Sequence, residues 1–493
     1  MKELFRRARN EDRGAALALV AGSMVLLLGM AAFGSDLAWF YLNASRVQRT
    51  ADAAALGGVI WLPAEPGTAD ATAIDIALRN GYDNTLSDIE VLPQVVPGEP
   101  NQLEVTVRAV VPTFFARILG FQTMTIARTA KAEFIPPLKL GSPDNQFGNS
   151  CDPSQPGCTG QDNFWANIHG KWTDTIMGDA YASWCRGSSD NPNCTQNGIA
   201  RSTGYLYGIE SGSSFTLEFN DLAFHNISDG NGTDDDIRTG DRGCEDWGPS
   251  SAVDCGPTMY VALYAPDPTP LDLSDATLLC DATISPQPQL VETDPYAFAA
   301  PDGQACWTQS GTGIYVVQVS HVDPGATTDR AGLNRYSVRS TSGNLFALGD
   351  FSIYNNFSGS TTSFFLAEVP TYYHGKTFVV ELYDPGESSA PGTLQMVGPD
   401  GSVFNDGECR IYDRDNPSQS WSLQLTIPAG TNCQETVAPG EYNGRWLKFE
   451  MDLPPLYSCA TCWWKVKYVY TSPVNDTTTW RAYMIGNPIH LVP

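Results

Sequence analysis

Cysteine is missing from the first 150 residues; all twelve cysteines lie at or after Cys151. Basic residues are scarce, 29 Lys and Arg against 55 Asp and Glu, and only 17% of the chain is charged. That balance excludes nucleic acid binding, which draws its affinity from clustered cations that release counterions. Histidine is rarer still, limited to His169, His225, His321, His374 and His490. Neither Gly-x-Ser-x-Gly nor His-Glu-x-x-His occurs, so the usual signals of an esterase or a zinc protease are missing. What the chain does have is 42% apolar residues, 11% of all residues aromatic, and a length of 493. Those values exclude global disorder and predict more than one packed domain.

Residues 14–35, GAALALVAGSMVLLLGMAAFGS, carry no charge. Twenty-two helical positions reach ~33 Å, enough for the apolar core of a bilayer. A secretory signal would have a shorter apolar run followed by a small-residue cleavage site. The segment before it, 1–13, holds Lys2, Arg6, Arg7, Arg9 and Arg13 against Glu3, Glu11 and Asp12. The positive-inside rule then leaves the N-terminus in the cytoplasm. Beyond it lie 24 basic and 52 acidic residues together with every cysteine, so the bulk is expected outside a bacterial cell membrane, in an oxidising compartment. The expected partner of 14–35 is membrane lipid.

After the span, Trp39, Phe40 and Tyr41 suit an interfacial aromatic belt. Arg46-Val-Gln-Arg-Thr-Ala-Asp-Ala-Ala-Ala-Leu-Gly-Gly58 continues the helix and ends it at the glycine pair. The small residues Ala51, Ala53, Ala54, Ala55, Gly57 and Gly58 permit close packing, either on the chain's own domain or on another subunit. A helical period over Asp70–Asn80, alternation over Leu103–Val111, a short helix over Pro112–Gly120 and a second strand over Gln122–Phe134 complete a small α+β unit across 36–135.

The basic start with Asp12-Arg-Gly14, the apolar span, Asp36-Leu-Ala-Trp-Phe-Tyr and the Arg-x-Gln-x-x-Ala-Asp-Ala-Ala-Ala-Leu run together resemble the N-terminal region of TadE/TadG-like proteins of the tight-adherence (Flp) type IV pilus assembly system. The resemblance covers residues 12–60 closely and 62–135 more loosely. It implies a membrane-anchored role and pilus assembly proteins as partners. Many pilins carry Glu five residues after the processing glycine; counting from Gly14 gives Leu19, which argues against processing by a prepilin peptidase. Many TadG-type proteins add a metal motif Asp-x-Ser-x-Ser; the nearest run here, Asp272-Leu-Ser-Asp-Ala276, ends in alanine and follows a Pro-rich loop.

Residues 136–160 read as a linker. Beyond it, short alternating runs separated by Gly, Pro, Asn and Asp predict strands at 204–210, 214–219, 259–264, 313–320 and 335–339. A second set is predicted at 346–354, 377–383, 392–397, 421–426, 445–451 and 463–470. The fold class is therefore multidomain: a transmembrane helix with a small α+β unit, then two mainly-β, jelly-roll-like sandwiches with disulfides over 161–340 and 341–493. Sequence neighbours suggest bridges Cys151–Cys158, Cys185–Cys194, Cys244–Cys255, Cys280–Cys306, Cys409–Cys433 and Cys459–Cys462, although spacing does not fix connectivity.

Candidate chemistry is sparse. Cys459-Ala-Thr-Cys462 has a redox spacing, but the strand-like Trp463–Tyr470 follows it where a helix would be needed to activate a thiol. A structural disulfide is the expected reading. Asp229, Asn231, Asp234, Asp235 and Asp236 form the densest acidic loop. It departs from the EF-hand pattern and reads either as a calcium loop of another kind or as a solvated acidic loop. Trp421, Trp446, Trp463, Trp464 and Trp480 either pack a core or present a sugar-stacking face. Carboxylates are abundant, but none is singled out as a catalytic pair. The chain is thus expected to be no enzyme and to hold no cofactor apart from the calcium reading. Its expected role is pilus assembly or adhesion at the cell surface. The alternative is an anchored glycan- or calcium-binding module whose partners are surface glycan or envelope components.

Overall fold

The computed structural model describes residues 2–149, 164–169, 178–181, 203–221, 224–225, 241–242, 258–267, 269–284, 298–321, 333–358, 361–385, 390–415 and 425–492. The chain divides into two compact units, 1–136 with 486–493, and 137–485.

The first unit is built on one helix, α1, Lys2–Gly58, of 57 residues. It is longer than the sequence suggests because the basic segment joins it without a break. Within the apolar stretch the hydroxyls of Ser23 and Ser35 donate to the carbonyls of Val20 and Ala31, each at 2.9 Å, so neither is left without a partner. A second helix, α2 (Pro66–Arg79), starts with proline at its first turn. It closes through Asn80 onto Gly81, whose φ of +90° is the left-handed conformation that glycine permits.

Three strands follow: β1 (Ile89–Val96), β2 (Glu99–Pro112) and β3 (Thr123–Phe134). In β2, Leu103, Val105, Val107 and Ala109 are buried while the intervening residues are not, the period of a half-buried strand. On the outer face Arg108 pairs with Glu90 at 2.7 Å, and the hydroxyls of Thr106 and Thr129 meet at 2.8 Å. The sheet gains a fourth member from the far end of the sequence. Ile489–Val492 pairs antiparallel with β3, Ile489 opposite Phe134 and Leu491 opposite Ala132.

The core of this unit is an alanine seam. Val47, Ala51, Ala54 and Ala55 of α1 pack with Ala69, Ala73 and Ala77 of α2 and with Leu103, Val105, Val107, Ala130 and Ala132 of the sheet. The small-residue face of α1 is therefore covered by its own unit. Gly57 and Gly58 are required for closeness rather than for a turn. Gly58 keeps helical angles (φ −75°, ψ −38°), and a Cβ there would lie 2.8 Å from the Ala69 carbonyl oxygen.

The second unit consists of β-sheets, as the run of short strands predicts. One sheet has the central order Leu333–Ser340, Phe164–His169, Asp350–Ser358, Pro473–Met484, Thr377–Tyr383, Trp446–Asp452, Cys409–Asp413. The other runs Met259–Tyr264, Gly313–His321, Tyr205–Ser211, Asn344–Ala347, Lys139–Gly141, Thr361–Glu368, Trp463–Tyr470, Gly392–Val397. Aromatic rings from the two sheets meet edge-on: Phe147 with Tyr207, Phe215 with Tyr315, Phe364 with Trp480 and Phe378 with Trp464, all with centroids 4.9–5.2 Å apart.

One expected element is corrected. The run 346–354 is two strands, Asn344–Ala347 and Asp350–Ser358, lying in different sheets. The chain changes sheets at Leu348-Gly349, where Gly349 has φ +99°. Disulfides join Cys280 to Cys306, Cys409 to Cys433 and Cys459 to Cys462, and no cysteine among the described residues is free.

Candidate functional site

The residues with the most distinctive arrangement lie where α1 leaves its apolar stretch. Residues 16–35 are almost all exposed, Leu17 at 74% and Phe33 at 71%, whereas one residue later Asp36 is buried at 8%. The Asp36 carboxylate accepts the backbone N–H groups of Phe114 (2.7 Å), Phe115 (3.0 Å) and Ala116 (2.6 Å). It therefore caps the 3-10 turn Ala116–Leu119, satisfying donors that a helix start leaves unpaired. Trp39 adds a second tie: its indole N–H donates to the Pro112 carbonyl at 3.1 Å, and its ring meets Phe114 edge-on at 5.2 Å. The short helix expected over Pro112–Gly120 is this 3-10 turn.

Further along α1, the Gln48 amide donates to the Asp52 carboxylate at 2.8 Å and to the Thr129 carbonyl at 3.3 Å. Gln48, steadied by Asp52, thus ties the Arg-x-Gln-x-x-Ala-Asp run to β3, while its alanines fill the seam. The motif is a docking surface for the unit that follows it.

In the β unit, one face of the first sheet carries a row of charges in direct register: Asp350 opposite Arg481, Arg481 opposite Glu381, Glu381 opposite Lys448, Lys448 opposite Tyr412. Arg481 approaches Asp350 at 3.2 Å, and Arg414 reaches Glu381 at 2.9 Å. Arg410 grips Asp452 with two nitrogens at 2.8 and 2.9 Å and also bonds Glu450. The Arg410 guanidinium holds the Asp452 carboxyl below the usual carboxylate range. The carboxylates of the row are matched to cations across strands. That arrangement suits a structural ladder.

Two of the histidines are neighbours: His321 bonds the Asn334 side chain at 3.0 Å and the His169 backbone. Burial pushes the His169 imidazole well down and the His321 imidazole down to about 4, so both are neutral near pH 7. Among the described residues no group of three or more His, Cys, Asp or Glu is arranged to hold a metal ion. Asp229, Asn231, Asp234, Asp235 and Asp236 lie outside the described residues, as do Cys151, Cys158, Cys185, Cys194, Cys244, Cys255 and Trp421. Trp446, Trp464 and Trp480 are buried, which places them in the core rather than on a sugar-stacking face. An open cleft in the β unit is lined by Gly141, Asp144, Gln146, Phe164, Phe364 and Phe365.

The Asp36 cap escaped sequence reasoning because its partners lie 78–80 residues away. A signal was present all the same: Phe114-Phe115, Ile118-Leu119 and Phe121 are unusually apolar for a loop.

Residues 14–64 match the Tad family, described as "Putative Flp pilus-assembly TadE/G-like". The match spans the apolar helix, the Asp36 junction and the alanine run. Among the described residues one helix is long and apolar enough to cross a membrane, and with the family match it fits a single-pass membrane protein. No curated protein matches the chain. Among solved structures, the Faustovirus major capsid protein aligns with 83% of this chain and 80% of its own at 8% identity and a TM-score of 0.12, a likeness that carries no argument.

Proposed function

We propose that this chain is a membrane-anchored, non-enzymatic component of tight-adherence pilus assembly or of cell-surface adhesion. In this reading α1 crosses the cytoplasmic membrane with the N-terminus inside, and the β unit is displayed outside to bind pilus or envelope components. The observation that carries it is the family match over 14–64, the stretch whose side chains join the apolar helix to its α+β unit. The charge bias on either side of the span supports the orientation, and the disulfides support an oxidising exterior. The ion-paired ladder of the β unit supports a structural role for its carboxylates.

The test is affinity capture of the full chain from membranes solubilised in mild detergent, paired with thiol labelling of intact cells. Recovery of pilus assembly proteins, with cysteines labelled only after external reduction, is the expected result. Cysteines that label without reductant, or only after lysis, would overturn the topology. Normal pili and normal attachment in cells lacking the gene would overturn the pilus and adhesion roles. Recovery of envelope glycan in place of pilus proteins would favour the anchored glycan-binding alternative.

A further inference from the structure

We propose that the loop Thr113–Gln122 is a second membrane contact, inserting its apolar side chains into the outer leaflet beside the point where α1 emerges. The inference rests on the reading that 14–35 span the bilayer. Asp36 is the first residue after that span, and its carboxylate holds the amides of Phe114, Phe115 and Ala116 within 3.0 Å. The loop is therefore fixed at the depth of the helix exit. It presents Phe114, Phe115, Ile118, Leu119 and Phe121 to the surroundings, with Ile118 and Leu119 each 79% exposed. Leu37, 55% exposed, lies on the helix next to Asp36, so the loop extends the apolar surface of the span.

The chemistry of the loop suits a lipid interface. Aromatic and aliphatic tips favour the boundary between headgroup and acyl chain, and the exposed Arg117 among them suits anionic headgroups. Backbone amides brought to that depth lose water and need a fixed acceptor, which Asp36 supplies. Trp39, bonded to Pro112 and packed on Phe114, belongs to the same belt. The occupant is thus the bilayer that α1 already crosses.

The experiment uses the full chain in vesicles of phosphatidylethanolamine and phosphatidylglycerol, with the photoreactive residue p-benzoylphenylalanine placed singly at position 26, 118 or 94. Position 26 lies within the span, and Gln94 faces outward in the half of the sheet away from the loop. Lipid adducts at 26 and 118, with none at 94, are the expected result. Adducts at 26 with none at 118, or a chain-to-chain crosslink at 118, would overturn the loop insertion while leaving the span intact. No adduct at either 26 or 118 would overturn the span and the insertion together.

Discussion

Glu133 and His490 stand opposite one another on paired strands, with the Glu133 Oε2 3.3 Å from the His490 Nε2 although 357 positions separate them in sequence. Beside them the Ile135 amide donates to the Pro488 carbonyl at 2.8 Å. Truncation after Ile485 is expected to speed hydrogen exchange at the Ile135 amide and to lower the melting temperature of the membrane-proximal unit. His490→Ala keeps the strand and should leave Ile135 protected. Unchanged exchange in the truncated chain would show that the returning strand contributes nothing.

The glycine pair at the end of α1 yields opposite expectations from propensity and from packing. Gly→Ala inside a helix ordinarily stabilises by roughly 0.5–1 kcal/mol. At Gly58 the new methyl would meet the Ala69 carbonyl oxygen at 2.8 Å and the Leu103 side chain at 2.5 Å. Gly58→Ala should therefore cost about 1–3 kcal/mol through overpacking. At Gly57 the methyl would meet only the flexible end of Ile76, so Gly57→Ala should cost less. Thermal melts of the two variants in the same detergent decide the order. A stabilised Gly58→Ala would mean that the seam is looser than described.

Glu435 predicts a pH dependence. Burial pushes its carboxyl up to about 7, the nearby Glu441 charge adds to the rise, and a hydrogen bond with Tyr442 opposes it. Between an unfolded value near 4.5 and the folded value near 7, the folded chain holds a proton that the unfolded chain has released. Stability from this site is therefore full below the window and is lost as pH rises through it. Glu435→Gln should flatten that decline, read as melting temperature across the same range. A slope unchanged by the substitution would remove Glu435 as its source.

The elements that were legible in the sequence are those whose cause is local. A charge-free run gives α1; strict alternation gives β2; Met259–Tyr264 and Thr377–Tyr383 fall where their apolar residues place them. The alanine run of α1 left its partner open, since small residues suit any close neighbour. The matching spacing of Ala69, Ala73 and Ala77 on α2 held the answer. The sheet change at Gly349 was hidden because one apolar run serves both strands. The Asp36 cap and the returning strand depend on partners far along the chain, and local pattern carries no record of them.

The returning strand also decides how the molecule would answer a pull. The chain leaves the first unit just past Phe134 and re-enters it just before Ile489, two residues that are direct neighbours across the pair. Traction on the β unit would reach both strands at one end and in one direction, so the bonds between them would feel little shear. The tension would be shared by two covalent tethers into a single sheet.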